Sequence, residues 1–345
     1  MNRSSQRTTL RDVAEKAAVS PSVASRILNE DSSLTVRDDT RERVIRAAAD
    51  LRYRPHAAAR GVRAGTIGAV GLLIPDLTQP IYARIVRGAM AQANQRNVVV
   101  LVGEDLADGP SRRDANLQVE RMIQERRIDG LLMASARPRH PIVALLRQVE
   151  FPHVFLNRSV RGSQRNVTLD DAKASIAAVI HLIELGHTHL GHIAGPKQLD
   201  TSRRREVGFV DVVAARGLPP GPVERAPFSS SGGFDAAIAL MKGAPQTTAI
   251  YTSNFGQAVG ALRALRVMNL AVPGVVSVIT YDDVAIAEFV DPPLTTIRVP
   301  LEKLGAVGVD QLLNQLDGHA LVDVVVPSDA TVIVRGSTAP PPNRR

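Results

Sequence analysis

The stretch TLRDVAEKAAVSPSVASRILN, residues 9–29, decides the N-terminal fold. Leu10, Val13, Ala14 and Ala17 recur at the i, i+3, i+4, i+7 spacing of one helix face. Thr9, three residues before Asp12, is a capping pair for the orphan amides of that helix. Ala18-Val19 interrupts the pattern. Ser20 then caps a second helix, with Pro21 in its first turn, where a missing N–H costs little. Val23, Ala24, Ile27 and Leu28 make the inward stripe of this helix, and Asn29 lies at its end. A third helix is predicted from Asp38 to Arg52, burying Val44, Ala47, Ala48 and Leu51. Two short helices joined by a tight turn and braced by a third describe a helix-turn-helix unit.

Charge agrees with that reading. Residues 1–65 hold 13 Lys and Arg against 8 Asp and Glu, so more than half of the net charge of +8 lies in the first fifth of the 345-residue chain. A basic module on a nearly balanced body points to a polyanionic partner.

Beyond Tyr53-Arg54-Pro55, the segment HAAARGVR (56–63) is helix-prone but too short to be helical unaided. It is expected to be a conditional helix, a linker in the free protein. From Thr66 the texture changes. Apolar runs such as IGAVGLLI (67–74), VVVLV (98–102), GLLMA (130–134) and HVFL (153–156) alternate with amphipathic stretches, and the alternation resumes after Asn166. This βαβ rhythm predicts two similar α/β lobes with mostly parallel sheets. The proline-rich end, TAPPPNRR, is expected to be a disordered tail. The absence of cysteine excludes disulfides, thiolate metal sites and a cysteine nucleophile. With no signal-peptide pattern at the start and no run of about 18 apolar residues, a soluble cytoplasmic protein is expected.

Taken in order, TLRDVAEKAAVSPSVASRILN (9–29), TRERVIRAAADLRYRPHAAARGVRAG (40–65), TIGAVGLLIPDLTQPIYARIVRGAM (66–90), RRIDGLLM (126–133), HLIELGHTHLGHIAGP (181–196), GVVSVITYDD (274–283) and PPLTTIRVP (292–300) resemble the LacI/GalR family of bacterial transcriptional regulators over nearly the whole chain. The resemblance implies an all-α helix-turn-helix headpiece (1–55), a hinge helix (56–65), a two-lobed α/β core like the periplasmic binding proteins (66–338) and a tail (339–345). It places the three crossovers between lobes near 158–166, 286–292 and 326–330, and a ligand in the cleft between them. The implied function is a repressor that binds near-palindromic double-stranded operator DNA as a homodimer, in the cytoplasm at the nucleoid. A small polar effector, a sugar or related metabolite, would control it.

The same resemblance nominates Thr9, Ser20, Pro21, Ser22, Ser25, Arg26, Asn29, Tyr53, His56, Arg60 and Val62 for contact with DNA. Val62 is the implied minor-groove wedge. Tyr82, Asn157, Arg205, Phe228, Asn254 and Asp282 are nominated for the effector. A guanidinium, amides, a carboxylate and an aromatic face suit a polar small molecule. The chain departs from the family pattern at four of its positions. Ala18 stands where Gly is usual, and His56 where Asn or Ser is usual. Asn157 and Phe255 each replace an Asp, which weakens the case for a simple sugar and admits a less polar or anionic effector. Neither a cofactor, a metal nor a catalytic group is expected; His187, His189 and His192 lie in a stretch that the family uses structurally. A transport binding protein would need a secretory signal and no basic headpiece, and an enzyme would need catalytic groups that the sequence does not offer.

Overall fold

The computed structural model describes residues 8–28, 31, 34–53, 67–105, 111–137, 139–327 and 329–342. The chain divides after Gly68 into two compact units.

The first unit contains α1 (Leu10–Lys16), α2 (Pro21–Leu28) and α3 (Asp38–Asp50). Thr9 and Asp12 form a reciprocal capping box: the Thr9 hydroxyl accepts from the Asp12 amide, and the Asp12 carboxylate accepts from the Thr9 amide at 2.7 Å. Those hydrogen bonds hold the Asp12 carboxyl below its ordinary pKa. Val13, Ala14, Ala17, Ala24, Ile27, Val44, Ala47 and Ala48 close into one small core, with Leu10, Val23, Leu28, Leu51 and Tyr53 around it.

The turn between α1 and α2 puts Ala18 at φ +54°, the left-handed conformation that a Cβ disfavours. Ala18→Gly should therefore stabilise the headpiece. Relief of backbone strain, about 1–2 kcal/mol, exceeds the entropy that Gly adds to the unfolded chain, about 0.4–1 kcal/mol. Thermal unfolding of the headpiece measures this, and a lower melting temperature for the variant would refute the strain.

In the second unit, β1 (Ala69–Ile74), β2 (Val99–Glu104), β3 (Gly130–Met133), β4 (His153–Leu156), β5 (Asn166–Leu169) and β11 (Val324–Val326) form one sheet in the order β11-β5-β4-β3-β1-β2. The other sheet, in the order β12-β10-β9-β8-β6-β7, holds β6 (Leu190–Ala194), β7 (Val223–Arg225), β8 (Ala249–Thr252), β9 (Ser277–Tyr281), β10 (Thr295–Arg298) and β12 (Thr331–Ile333). Among the described residues, every pairing is parallel except β10 with β12. The helices of the first lobe are α4 (Pro80–Gln95), α5 (Ser111–Gln124), α6 (Pro141–Gln148) and α11 (Leu301–Leu316). Those of the second are α7 (Asp171–Glu184), α8 (Asp200–Ala215), α9 (Ser230–Gly243) and α10 (Phe255–Val267). Where α4 crosses α11 the backbones nearly touch: a Cβ on Gly88 would lie 1.9 Å from the Glu302 carbonyl oxygen.

Two crossovers lie elsewhere than expected. The chain leaves the first lobe between Leu169 and Asp171, not within 158–166, because residues 166–169 form β5 and complete the first sheet. It returns between Arg298 and Leu301, not within 286–292, because residues 295–298 pair with β9. The third passage, between β11 and β12, falls within 326–330. The tail is also corrected in part. Ala339 is anchored, its amide donating to Ser277 Oγ at 3.0 Å and its carbonyl accepting from the His187 ring at 2.9 Å. Residues 343–345 lie outside the described residues.

Candidate DNA-reading face and effector cleft

On α2, the Ser20 hydroxyl accepts from the Val23 amide at 3.3 Å and so caps the helix at its N-terminal end. Pro21 and Ser22 are exposed, Ser25 and Arg26 half-buried, and the helix turns Ala24 and Ile27 inward. Arg26 Nε donates to Asp31 at 2.8 Å, which orients the guanidinium. Thr9 is occupied by the capping box, and half-buried Tyr53 closes α3 through its amide on the Ala48 carbonyl at 2.8 Å. Asn29, His56, Arg60 and Val62 lie outside the described residues.

In the core, the carboxyl ends of β1, β8 and β9 and the loop after β7 border a cavity of about 480 Å³ between the lobes. Phe228, Asn254 and Asp282 line it, with Gln79 and Ile81 from the first lobe and an apolar wall that includes Phe255, Val284, Ile286 and Val290. The Phe228 ring lies directly on the chain at Gly195, where a Cβ would come within 2.2 Å of the ring. Asn254 caps α10, its side-chain oxygen accepting from the Gln257 amide at 2.9 Å.

Asp282 lines the cavity at φ +77°, with Oδ1 buried and, among the described residues, without a partner. Burial, opposed in part by Arg205, pushes its carboxyl up to about 6. A buried acceptor without a donor is costly, and a ligand hydroxyl or amine in the cavity would satisfy it.

Tyr82, Asn157 and Arg205 do not line this cavity; all three are buried. Arg205 donates to Asp171 at 2.8 Å and to the Ser253 carbonyl at 2.6 Å, and its guanidinium lies 3.6 Å from the centre of the Tyr281 ring. Asp171 also accepts from Arg204 at 2.6 Å, and these arginines hold its carboxyl below the usual range against full burial. Asn157, at φ +62°, has no partner for its side-chain Oδ1 among the described residues, while its backbone carbonyl accepts from Arg204 at 2.9 Å. Burial raises the Tyr82 hydroxyl, with Arg158, Asp282 and Arg205 the charges that act on it.

The residues that sequence reasoning missed are Asp171, Arg204, Ser159 and Asp200. The Ser159 amide and hydroxyl, in the first lobe, donate to Asp200 in the second at 2.9 and 2.6 Å. Together with Arg204 on the Asn157 carbonyl, they seam the lobes. The histidines serve packing: His187 donates or accepts at Thr248 and Ser277, and His192 stacks against both Phe209 and Tyr251.

A DNA-reading headpiece on a two-lobed core with a lined cleft defines a ligand-responsive transcriptional regulator. Residues 9–56 match the description "Bacterial regulatory proteins, lacI family", and residues 179–338 match "Periplasmic binding protein-like domain". The Escherichia coli K12 ribose operon repressor is 30% identical over 333 residues, covering 95% of this chain and 99% of its own. The transcriptional repressor CytR of the same organism is 30% identical over 335 residues, 96% of each chain. A crystal structure of the lac repressor dimer bound to operator and the anti-inducer ONPF superposes with a TM-score of 0.83 at 27% identity, over 97% of this chain and 100% of that one. The chain belongs to the LacI family. It is a sequence-specific DNA-binding transcriptional regulator under small-molecule control, not an enzyme, and as a bacterial DNA-binding protein it acts in the cytoplasm.

Proposed function

We propose that this chain is a homodimeric, nucleoid-associated repressor whose affinity for a near-palindromic operator is set by an effector held between the lobes. Two-fold symmetry of the protein would mirror that of the operator. The observation that carries the effector reading is the buried Asp282 oxygen, without a partner among the described residues, on the wall of the 480 Å³ cavity. Asp282 and Asn254 would recognise the polar end of the effector, Phe228 would cover one face, and the apolar wall would take a less polar part. Phe255, in place of the usual Asp, favours an effector more apolar at one edge than a free hexose. Behind that wall, Arg205 and Tyr82 would hold the geometry, and residues 56–65 would carry the signal to DNA.

The test is a calorimetric screen of the full chain against pentoses, hexoses, glycosides and nucleosides, beginning with ribose because of the ribose operon repressor relative. A ligand that binds wild type and binds Asp282→Ala at least tenfold more weakly supports the cavity. Equal affinity for both proteins would exclude it.

On the DNA side, Arg26→Ala should cost about 1–3 kcal/mol on operator if the guanidinium reads a base edge. Asp31→Asn should cost less, through lost orientation alone. Fluorescence anisotropy on operator and on random DNA separates the outcomes: an equal loss on both would assign Arg26 to phosphate.

A further inference from the structure

A second cavity lies between the lobes and shares no lining residue with the first. It measures about 370 Å³. The loop after β3, the face of α6 and the segment after β4 border it from the first lobe, and the start of α8 from the second. What distinguishes it is charge. Arg137, Arg139, Arg147 and Arg161 reach it from the first lobe and Arg203 from the second. Among the described residues its one lining carboxylate is Asp200, which Ser159 and Arg204 already occupy. Arg139, Arg147, Arg161 and Arg203 are exposed, and among the described residues they form no ion pair. Helix α8 begins at the cavity, and among the described residues no side chain caps it.

Guanidinium groups converging from opposite sides of a seam repel one another unless an anion lies between them. Their planar forks match phosphate oxygens two at a time. The volume is that of a small-molecule site. We infer that this cavity is a second effector site, for a small multiply charged anion such as a phosphorylated metabolite, and that the anion ties the two lobes together. Because Arg203 belongs to one lobe and the other four arginines to the other, the anion binds best when the lobes are apposed. It therefore biases lobe closure separately from any ligand at Asp282, and the two ligands are coupled reciprocally through that closure.

The probe is inorganic pyrophosphate, titrated calorimetrically into the full chain at constant ionic strength. Saturable binding is expected, weakened at least tenfold in Arg161→Ala and in Arg203→Ala, one variant for each lobe. Both side chains are exposed, so both variants should melt as wild type does. Asp282→Ala should bind pyrophosphate as wild type does, which keeps this result separate from the fate of the cleft. No saturable binding at millimolar pyrophosphate would overturn the site. So would unchanged affinity in both arginine variants, which would place the anion on the headpiece. A loss confined to Asp282→Ala would place it in the cleft.

Discussion

A chain lacking residues 1–68 is expected to lose operator binding by about a thousandfold or more, while its core remains folded. The core Ala69–Arg345 is a compact unit in its own right, with both six-stranded sheets and all of the cleft residues. The headpiece carries the α2 face that would read bases and most of the excess positive charge. Specific protein–DNA complexes are typically about 10³–10⁷ tighter than the same protein on random sequence, so losing the reading helix should remove at least that ratio. Counterion release from phosphates also makes the intact protein strongly salt-dependent, and the truncated chain should show almost no salt slope. Fluorescence anisotropy over a salt series, paired with thermal unfolding, measures both halves. Residual specific affinity in the truncation would place DNA recognition in the core, against the assignment of the headpiece.

How much of this was legible depended on what a linear pattern can carry. The three headpiece helices followed from 3.6-residue periodicity, and the strained turn followed from an Ala in the place of a Gly; Ala18 does lie at positive φ. The alternation of the core was equally clear wherever strands were long and aliphatic. Strands β5 and β10 were not. NVTL and TTIR are four residues each, with polar residues among the apolar ones, and they look like loops until Thr295 and Thr296 are seen buried with their hydroxyls bonded. Missing them displaced two crossovers.

The cleft shows a different limit. Arg203, Arg204 and Arg205 are chemically identical in sequence, yet successive residues turn by about 100° around a helix. That rotation leaves Arg203 exposed, puts Arg204 on the seam between lobes and buries Arg205 against Asp171. Composition cannot rank the three; family resemblance singled out Arg205. Asp171 itself, the hub of the buried cluster, stood next to Asp170 at a helix start, and only burial separates the helix-capping acid from the one that orders two arginines.

Asp282→Asn should stabilise the free core at neutral pH and at the same time impair effector binding. The Asp282 carboxyl is buried, and its pKa rises to about 6 from an ordinary 3.8, because desolvation outweighs the attraction of Arg205 and Arg84 while Asp171 adds repulsion. Between those two values the folded core holds a proton that the unfolded chain has released. Ionisation of Asp282 therefore subtracts from stability as pH rises from about 4 to 6, and the full penalty applies above 6. At about 1.4 kcal/mol per pKa unit the penalty is about 3 kcal/mol, an amount that an uncharged Asn of nearly the same shape does not incur. His153 and His192 act in the opposite direction, since burial lowers each to about 4 and stability falls as pH drops from 6.5 toward 4. Those contributions are common to both proteins and cancel in the difference. The stability gap between variant and wild type should thus be small near pH 4, open through pH 5 and level off above pH 6. Effector affinity should move the other way, by about tenfold to a hundredfold at pH 7.5, because a hydrogen bond to a charged group is worth about 1.5–3 kcal/mol. Denaturant unfolding at several pH values gives the first curve and calorimetry the second. A gap that does not change with pH would mean that Asp282 titrates as an ordinary exposed carboxylate, and it could not then be the buried acceptor held for a ligand.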